Sequence, residues 1–189
     1  LEALAVTDHD SFSGVVRFAE AARALSLPTV FGAELTLGRT GVPVGAADPG
    51  RATDRADAPL TERHLVVLAR DPRGYALLAR AISEAQLAGE KGAPRTSVEA
   101  LSALAGPSAH PADRGRWLVL TGCRKGAVPH ALVEHGPGAA ADELARLVDA
   151  FGREHVAVEL WDHGHPLDSH RNDALAEVAV RAGVDLVAT

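Results

Sequence analysis

Short and nearly continuous apolar runs punctuate the chain at Ala3–Val6, Thr29–Phe31, His64–Ala69, Trp117–Thr121, Val156–Leu160 and Leu186–Ala188. Runs of this length, rich in Val and Leu, predict strands buried on both faces. Between them apolar residues recur at helical spacing. In Ser13–Leu25 they are Val15, Val16, Phe18, Ala19, Ala22 and Leu25, with Ser11 or Ser13 available as a cap and Pro28 closing the connection. Tyr75–Ala88 is rich in Ala and Leu and lies between Pro72 and Gly89; Ala139–Phe151 and Asp168–Ala182 repeat the pattern, the latter stopped by Gly183. Strands alternating with helices predict repeated βα units, an α/β fold with a mainly parallel sheet or barrel and helices outside. Residues 38–63 and 106–116 carry no period and are expected to be loop insertions in one domain spanning 1–189.

Composition narrows the class. The chain has 189 residues, 47% hydrophobic and 23% charged, which suits one globular domain with a real core and not a disordered tail. No apolar run reaches the roughly 20 residues that span a bilayer, so no membrane partner is expected. A net charge of −6 argues against a dedicated nucleic-acid module, which usually presents a basic face. The single cysteine forms no internal disulfide, and with no signal-peptide pattern this points to a cytoplasmic location. The absence of Met and the strand-like character of both ends lead us to expect a piece of a longer protein. Nine histidines, more than the Phe, Trp and Tyr residues together, keep a metal site in view.

In parallel α/β folds functional groups gather where strands end. The first predicted strand runs into Thr7-Asp8-His9-Asp10, and the second into Gly32-Ala33-Glu34. An imidazole flanked by carboxylates can ligate a zinc-like ion, and an acidic pair ahead of a helix equally suits the helix dipole. Glu34 is either a ligand or base at the end of the sheet, or a solvated glutamate in a turn. Cys123, after an apolar strand and Gly122, is either a thiolate ligand or an inert buried thiol. His64 opens its strand, so it joins a site at the carboxyl ends only if that strand runs against its neighbours, which the long loop before it permits. Asp162, His163 and His165 read as a metal cluster or as a plain turn; His110, His130, His135, His155 and His170 read as solvated. There is no Gly-rich phosphate cradle, nucleophile elbow or Cys-x-x-Cys pair.

Taken together, Leu4-Ala5-Val6-Thr7-Asp8-His9-Asp10, Gly14 with the helix after it, and Gly32-Ala33-Glu34 resemble the polymerase-and-histidinol-phosphatase (PHP) domain. His64–Ala69 followed by Gly74-Tyr75, and Leu120-Thr121-Gly122-Cys123-Arg124-Lys125-Gly126, are similar to the branch found in bacterial C-family DNA polymerases. Ala81–Gly89, Leu160–His163 and Asn172-Asp173-Ala174-Leu175 look closest to the error-prone, translesion paralogue. The resemblance implies a distorted seven-stranded α/β barrel with several divalent ions, zinc or manganese among them, in a cleft at one end. It carries the family's ligand roles to His9, Glu34, His64 and Cys123, and makes Asp8 the partner that orients a ligand. The family's opening His-x-His pair and closing ligand segment have no counterpart here, so an incomplete barrel and site are expected.

For the parent, the resemblance implies DNA-directed DNA synthesis with DNA and deoxynucleotides as partners, and magnesium in a polymerase site outside this chain. A sliding clamp and damage-response proteins are further partners it implies. This domain would then be a metal-binding scaffold with phosphoesterase chemistry open to it, the fragment alone being inactive. Two other functions remain open on the residues: a stand-alone metal-dependent phosphoesterase of the histidinol-phosphatase kind, and a metal-free docking domain.

Overall fold

The computed structural model describes residues 2–38 and 63–189, so most of the first expected insertion lies outside the described residues. Six strands form one sheet in chain order: β1 (Leu4–His9), β2 (Thr29–Leu37), β3 (Arg63–Ala69), β4 (Trp117–Leu120), β5 (Val156–Leu160) and β6 (Asp185–Ala188). β1 and β2 are parallel, as are β4, β5 and β6, whereas β3 runs antiparallel to both neighbours. The sheet curls into a half-barrel with six helices: α1 (Val15–Ala24), α2 (Pro72–Ala88), α3 (Val98–Ala105), α4 (Ala127–His135), α5 (Pro137–Phe151) and α6 (Asp168–Ala182).

The alternation of side chains along each strand separates two faces. Outward-facing Ala33, Leu35 and Leu37 of β2, Leu65 and Val67 of β3, Trp117 and Val119 of β4, and Val156 and Val158 of β5 join the helices in one continuous core. The helices contribute Leu77 and Leu78 of α2, Leu101 of α3, Val128 of α4, Leu144 and Phe151 of α5, and Leu175 of α6. Each such Leu or Val stabilises the fold by about 1.5–3 kcal/mol relative to exposure. The inward face holds a smaller apolar floor of Val66, Leu120 and Ala157, packed with Leu68, Leu118 and Val187.

Two differences from the sequence reading have local causes. β2 spans nine residues instead of ending near Phe31, because Gly32 is a close-packing residue and not a turn: a Cβ there would sit 2.5 Å from the Val67 carbonyl oxygen. Helices α3 and α4 had no clear periodic signal, being only 8 and 9 residues long. Ser97 caps α3 by accepting from Ala100 N at 3.2 Å, and Pro129 falls in the first turn of α4, where a missing N–H costs nothing. Residues 106–116 form turns, tied to α2 by Arg73 Nε donating to Asp113 Oδ1 at 2.6 Å. Beside them Trp117 Nε1 donates to Gly74 O at 2.8 Å.

Candidate metal centre

The reversal of β3 assembles the polar end of the sheet. His9 is the last residue of β1 and lies opposite Glu34 in register; on the other side of β2, His64 pairs with Thr36. Because β3 is antiparallel, its first residues reach the end where the parallel strands finish. His9, Glu34 and His64 thus share the inward face, and one ligand atom from each lies within 4.8 Å of the others. The rings of His9 and His64 meet edge to face with centroids 4.7 Å apart.

Cys123 reaches the same place by a tight loop. After β4 the chain folds back so that Lys125 O accepts from His64 N at 3.1 Å and Gly126 bridges to His64. A Cβ on Gly126 would lie 1.9 Å from Thr121 O, so only glycine allows this return. The Cys123 thiol is then able to donate to Glu34 Oε1 at 3.9 Å.

His64 is 3% exposed, and its Nδ1 donates to Glu34 Oε1 at 2.9 Å. The neighbouring Cys123 sulfur and the Glu34 carboxylate raise its pKa to about 9, and the same His64 contact holds the Glu34 carboxyl below the usual range. The other ring nitrogen, Nε2, is buried with no hydrogen-bond partner. A buried polar atom left in this way costs roughly 1–3 kcal/mol unless something occupies it. A divalent cation replacing the Nε2 proton would meet that need, and the set His–Glu–His with a nearby thiol is a zinc-type donor set. The residues present therefore fit a metal ion.

Asp8 stands apart from this cluster. It alternates to the outward face of β1, where its carboxylate accepts a hydrogen bond from Gly14 N at the start of α1. The carboxylate that meets His9 belongs to Asp10, whose Oδ2 lies 3.0 Å from His9 Nε2. Thr36 joins them, its Oγ1 lying 2.6 Å from the same nitrogen. The sequence reading did not single out Asp10, Thr36 or Glu159 for these places. Glu159 shares the inward parity of Ala157 on β5; burial raises its pKa, Oε1 accepts from Thr189 Oγ1 at 2.8 Å, and Oε2 is buried without a partner. Its signal was strand parity, which becomes readable only once β5 is known to face the cleft.

Other histidines take different places. Asp162, His163 and His165 form a turn around Asp168, which is 1% exposed and accepts from His163 N and His165 N, each at 3.1 Å. His110, His135 and His170 are exposed, as expected for solvated residues. His130 and His155 are half-buried instead: burial lowers the pKa of His130, and His155 Nδ1 is buried without a partner.

With a half-barrel of this topology and a His–Glu–His cluster at its carboxyl end, the matching family model is that of the PHP domain, over residues 1–163. The chain belongs to the PHP domain family. It is homologous to the PHP region of error-prone DNA polymerases. It is 52% identical over 190 residues to the error-prone DNA polymerase of Mycolicibacterium paratuberculosis, covering 100% of this chain and 16% of that protein. Against the error-prone DNA polymerase of Mycobacterium tuberculosis it is 52% identical over 188 residues, 99% of this chain and 15% of that one. The Symbiobacterium thermophilum enzyme of the same name is 33% identical over 199 residues, 100% and 16% of the two chains. The chain thus spans about 15% of the length of the first two relatives. Among solved structures, one described as a metal-dependent phosphoesterase from Bifidobacterium adolescentis superposes with a TM-score of 0.54 at 13% identity, over 100% of this chain and 76% of that one. At that identity the likeness supports the fold.

Proposed function

We propose that this chain is the metal-binding PHP domain of an error-prone, translesion DNA polymerase, with divalent ions held by His9, Glu34, His64 and Cys123. The observation that carries the metal reading is the buried, partnerless Nε2 of His64 within a cluster whose donor atoms lie within 4.8 Å. Zinc or manganese suits these imidazole, carboxylate and thiol donors. A bound ion would supply Lewis acidity and a water acidified to a pKa of about 7, the requirements of phosphoester hydrolysis. The chain's own contribution is to place the donors. Glu34 accepts from His64 Nδ1, which turns Nε2 inward, and the apolar floor of Val66, Leu120 and Ala157 closes the cleft from below.

The polymerase assignment of the parent is supported by the 52% identity to proteins named error-prone DNA polymerases. For that parent we propose DNA and deoxynucleotides as substrates, magnesium in a polymerase site elsewhere, a sliding clamp and damage-response proteins as partners, and the cytoplasm as location. Among the described residues no helix is long and apolar enough to cross a membrane.

Two measurements test the proposal. Elemental analysis of the purified chain, after exposure to zinc or manganese and removal of free ions, should find bound metal that disappears in His64→Ala. Primer extension across a damaged template by the whole gene product should proceed. Equal metal content in the two chains overturns the centre, and failure to extend primers overturns the polymerase assignment.

A further inference from the structure

Asp10 holds an uncommon backbone conformation for a residue with a side chain, φ +48°. Left-handed geometry of this kind costs an L-residue roughly 1–2 kcal/mol, although Asp and Asn tolerate it better than most. Several contacts hold it there. Its N–H donates to Glu34 O at 2.9 Å, and its own carbonyl accepts from Gln86 Nε2 of α2 at 3.1 Å. Its Oδ1 accepts from Thr36 N at 2.8 Å, so the side chain takes the place a further strand residue would fill and ends β1. The turn therefore swings the remaining oxygen, Oδ2, back over the site.

At Oδ2 three polar atoms meet. Thr36 Oγ1 donates to Asp10 Oδ2 at 2.7 Å; His9 Nε2 lies 3.0 Å from Oδ2 and 2.6 Å from Thr36 Oγ1. A carboxylate only accepts, and the Thr36 hydroxyl has spent its one proton on that carboxylate. Both contacts of His9 Nε2 are favourable only if this nitrogen carries hydrogen. In neutral imidazole the lone pair then resides on Nδ1.

We infer that Asp10, acting with Thr36, is the positioning residue of His9: it fixes the Nε2–H tautomer and leaves Nδ1 as the atom available to a metal. The role falls to Asp10 and not to Asp8, whose carboxylate is engaged with Gly14 N on the other face of the strand. Carboxylates that receive the second N–H of a ligating imidazole commonly set its tautomer and orientation, and their loss costs about 10–100-fold in metal affinity. This inference rests on His9 being a ligand, and its first test is independent of any metal.

Long-range 1H–15N correlation spectra of the metal-free chain, with His9 assigned by comparison with His9→Gln, report the tautomer directly. The Nε2–H form is expected in the parent chain, and a mixture of both tautomers in Asp10→Gly. Glycine accepts the left-handed backbone, so this variant removes the carboxylate while relieving the turn. Titration with Zn2+ should then show affinity about 10–100-fold weaker in Asp10→Gly than in the parent chain, with a smaller loss in Thr36→Val. An Nδ1–H tautomer in the parent chain overturns the inference, whatever the variants do. So does an Asp10→Gly chain whose tautomer and zinc affinity match the parent's. If the parent takes up no zinc but shows the Nε2–H form that Asp10→Gly loses, the positioning stands and the metal reading falls.

Discussion

Both ends of the sheet gather charged side chains, but the two ends treat them differently. Where β3 passes into α2, Arg73 pairs with Asp113 at 2.6 Å and Arg116 with Asp71. The carboxyls of Asp71 and Asp113 are held below the usual range, the first by Gly74 N–H and Arg116 and the second by Arg73. These four groups satisfy one another, with the arginines reaching the surface and Asp113 nearly buried. At the opposite end His64 is almost fully buried, and Nε2 of His64 and Oε2 of Glu159 lack partners. Paired charges need no ligand to explain them. Buried atoms left incomplete oppose folding; His155 Nδ1 is one such atom away from the cleft, but only at the cleft do they accompany the converging donors of His9 and Glu34, which is what a cation site requires.

The sharpest way to break this contrast is at the foot of β4. Trp117 is 1% exposed and its indole N–H is bonded to Gly74 O. Trp117→Ala should cost about 3–5 kcal/mol in urea unfolding and abolish metal binding only by unfolding the chain. The second change acts at the other end. His64→Leu should lower zinc affinity at least about 100-fold and, near neutral pH, cost the metal-free chain roughly 2–3 kcal/mol, because it removes the buried contact of His64 Nδ1 with the Glu34 carboxylate. A variant that binds zinc normally would remove His64 from the centre.

The pH dependence of the metal-free chain should follow His64. Its folded pKa of about 9 lies above the ordinary value of 6.5, so the native state holds a proton that the unfolded chain releases between those values. The stabilisation is present in full below pH 6.5 and is lost as pH rises through 9, by roughly 3 kcal/mol. Glu34, with its carboxyl held low by His64, acts at the other extreme: its contribution is present above the usual carboxylate range and fades as pH falls through the lowered value. Urea midpoints read from pH 2 to pH 10 should show both limbs, and the alkaline limb should vanish in His64→Leu. The smallest effect belongs to the satisfied end. Arg73→Ala should leave zinc content unchanged and shift the unfolding midpoint only slightly, a shift that high salt erases.

The hydrophobic pattern by itself determined most of the elements. Strands such as Val156–Leu160 and helices such as Asp168–Ala182 were readable because burial imposes the period of the local backbone on the side chains. The short helices α3 and α4 escaped because two turns carry too few apolar positions to show a period. The candidate site was legible as residue types: His9, Glu34 and Cys123 fall at or beyond the ends of apolar runs, where loops and polar groups gather. The place of His64 was not legible, because the direction of a strand in a sheet leaves no mark on its own alternation; the antiparallel pairing of β3 decided it. Nor could sequence distinguish Asp8 from Asp10, which flank the same histidine. Only the pleat, which turns Asp8 to α1, and the left-handed turn, which brings Asp10 back over Thr36, settle which carboxylate meets His9. Local periodicity is a property of neighbours along the chain, whereas a metal centre is built by residues that only the register of the sheet makes neighbours.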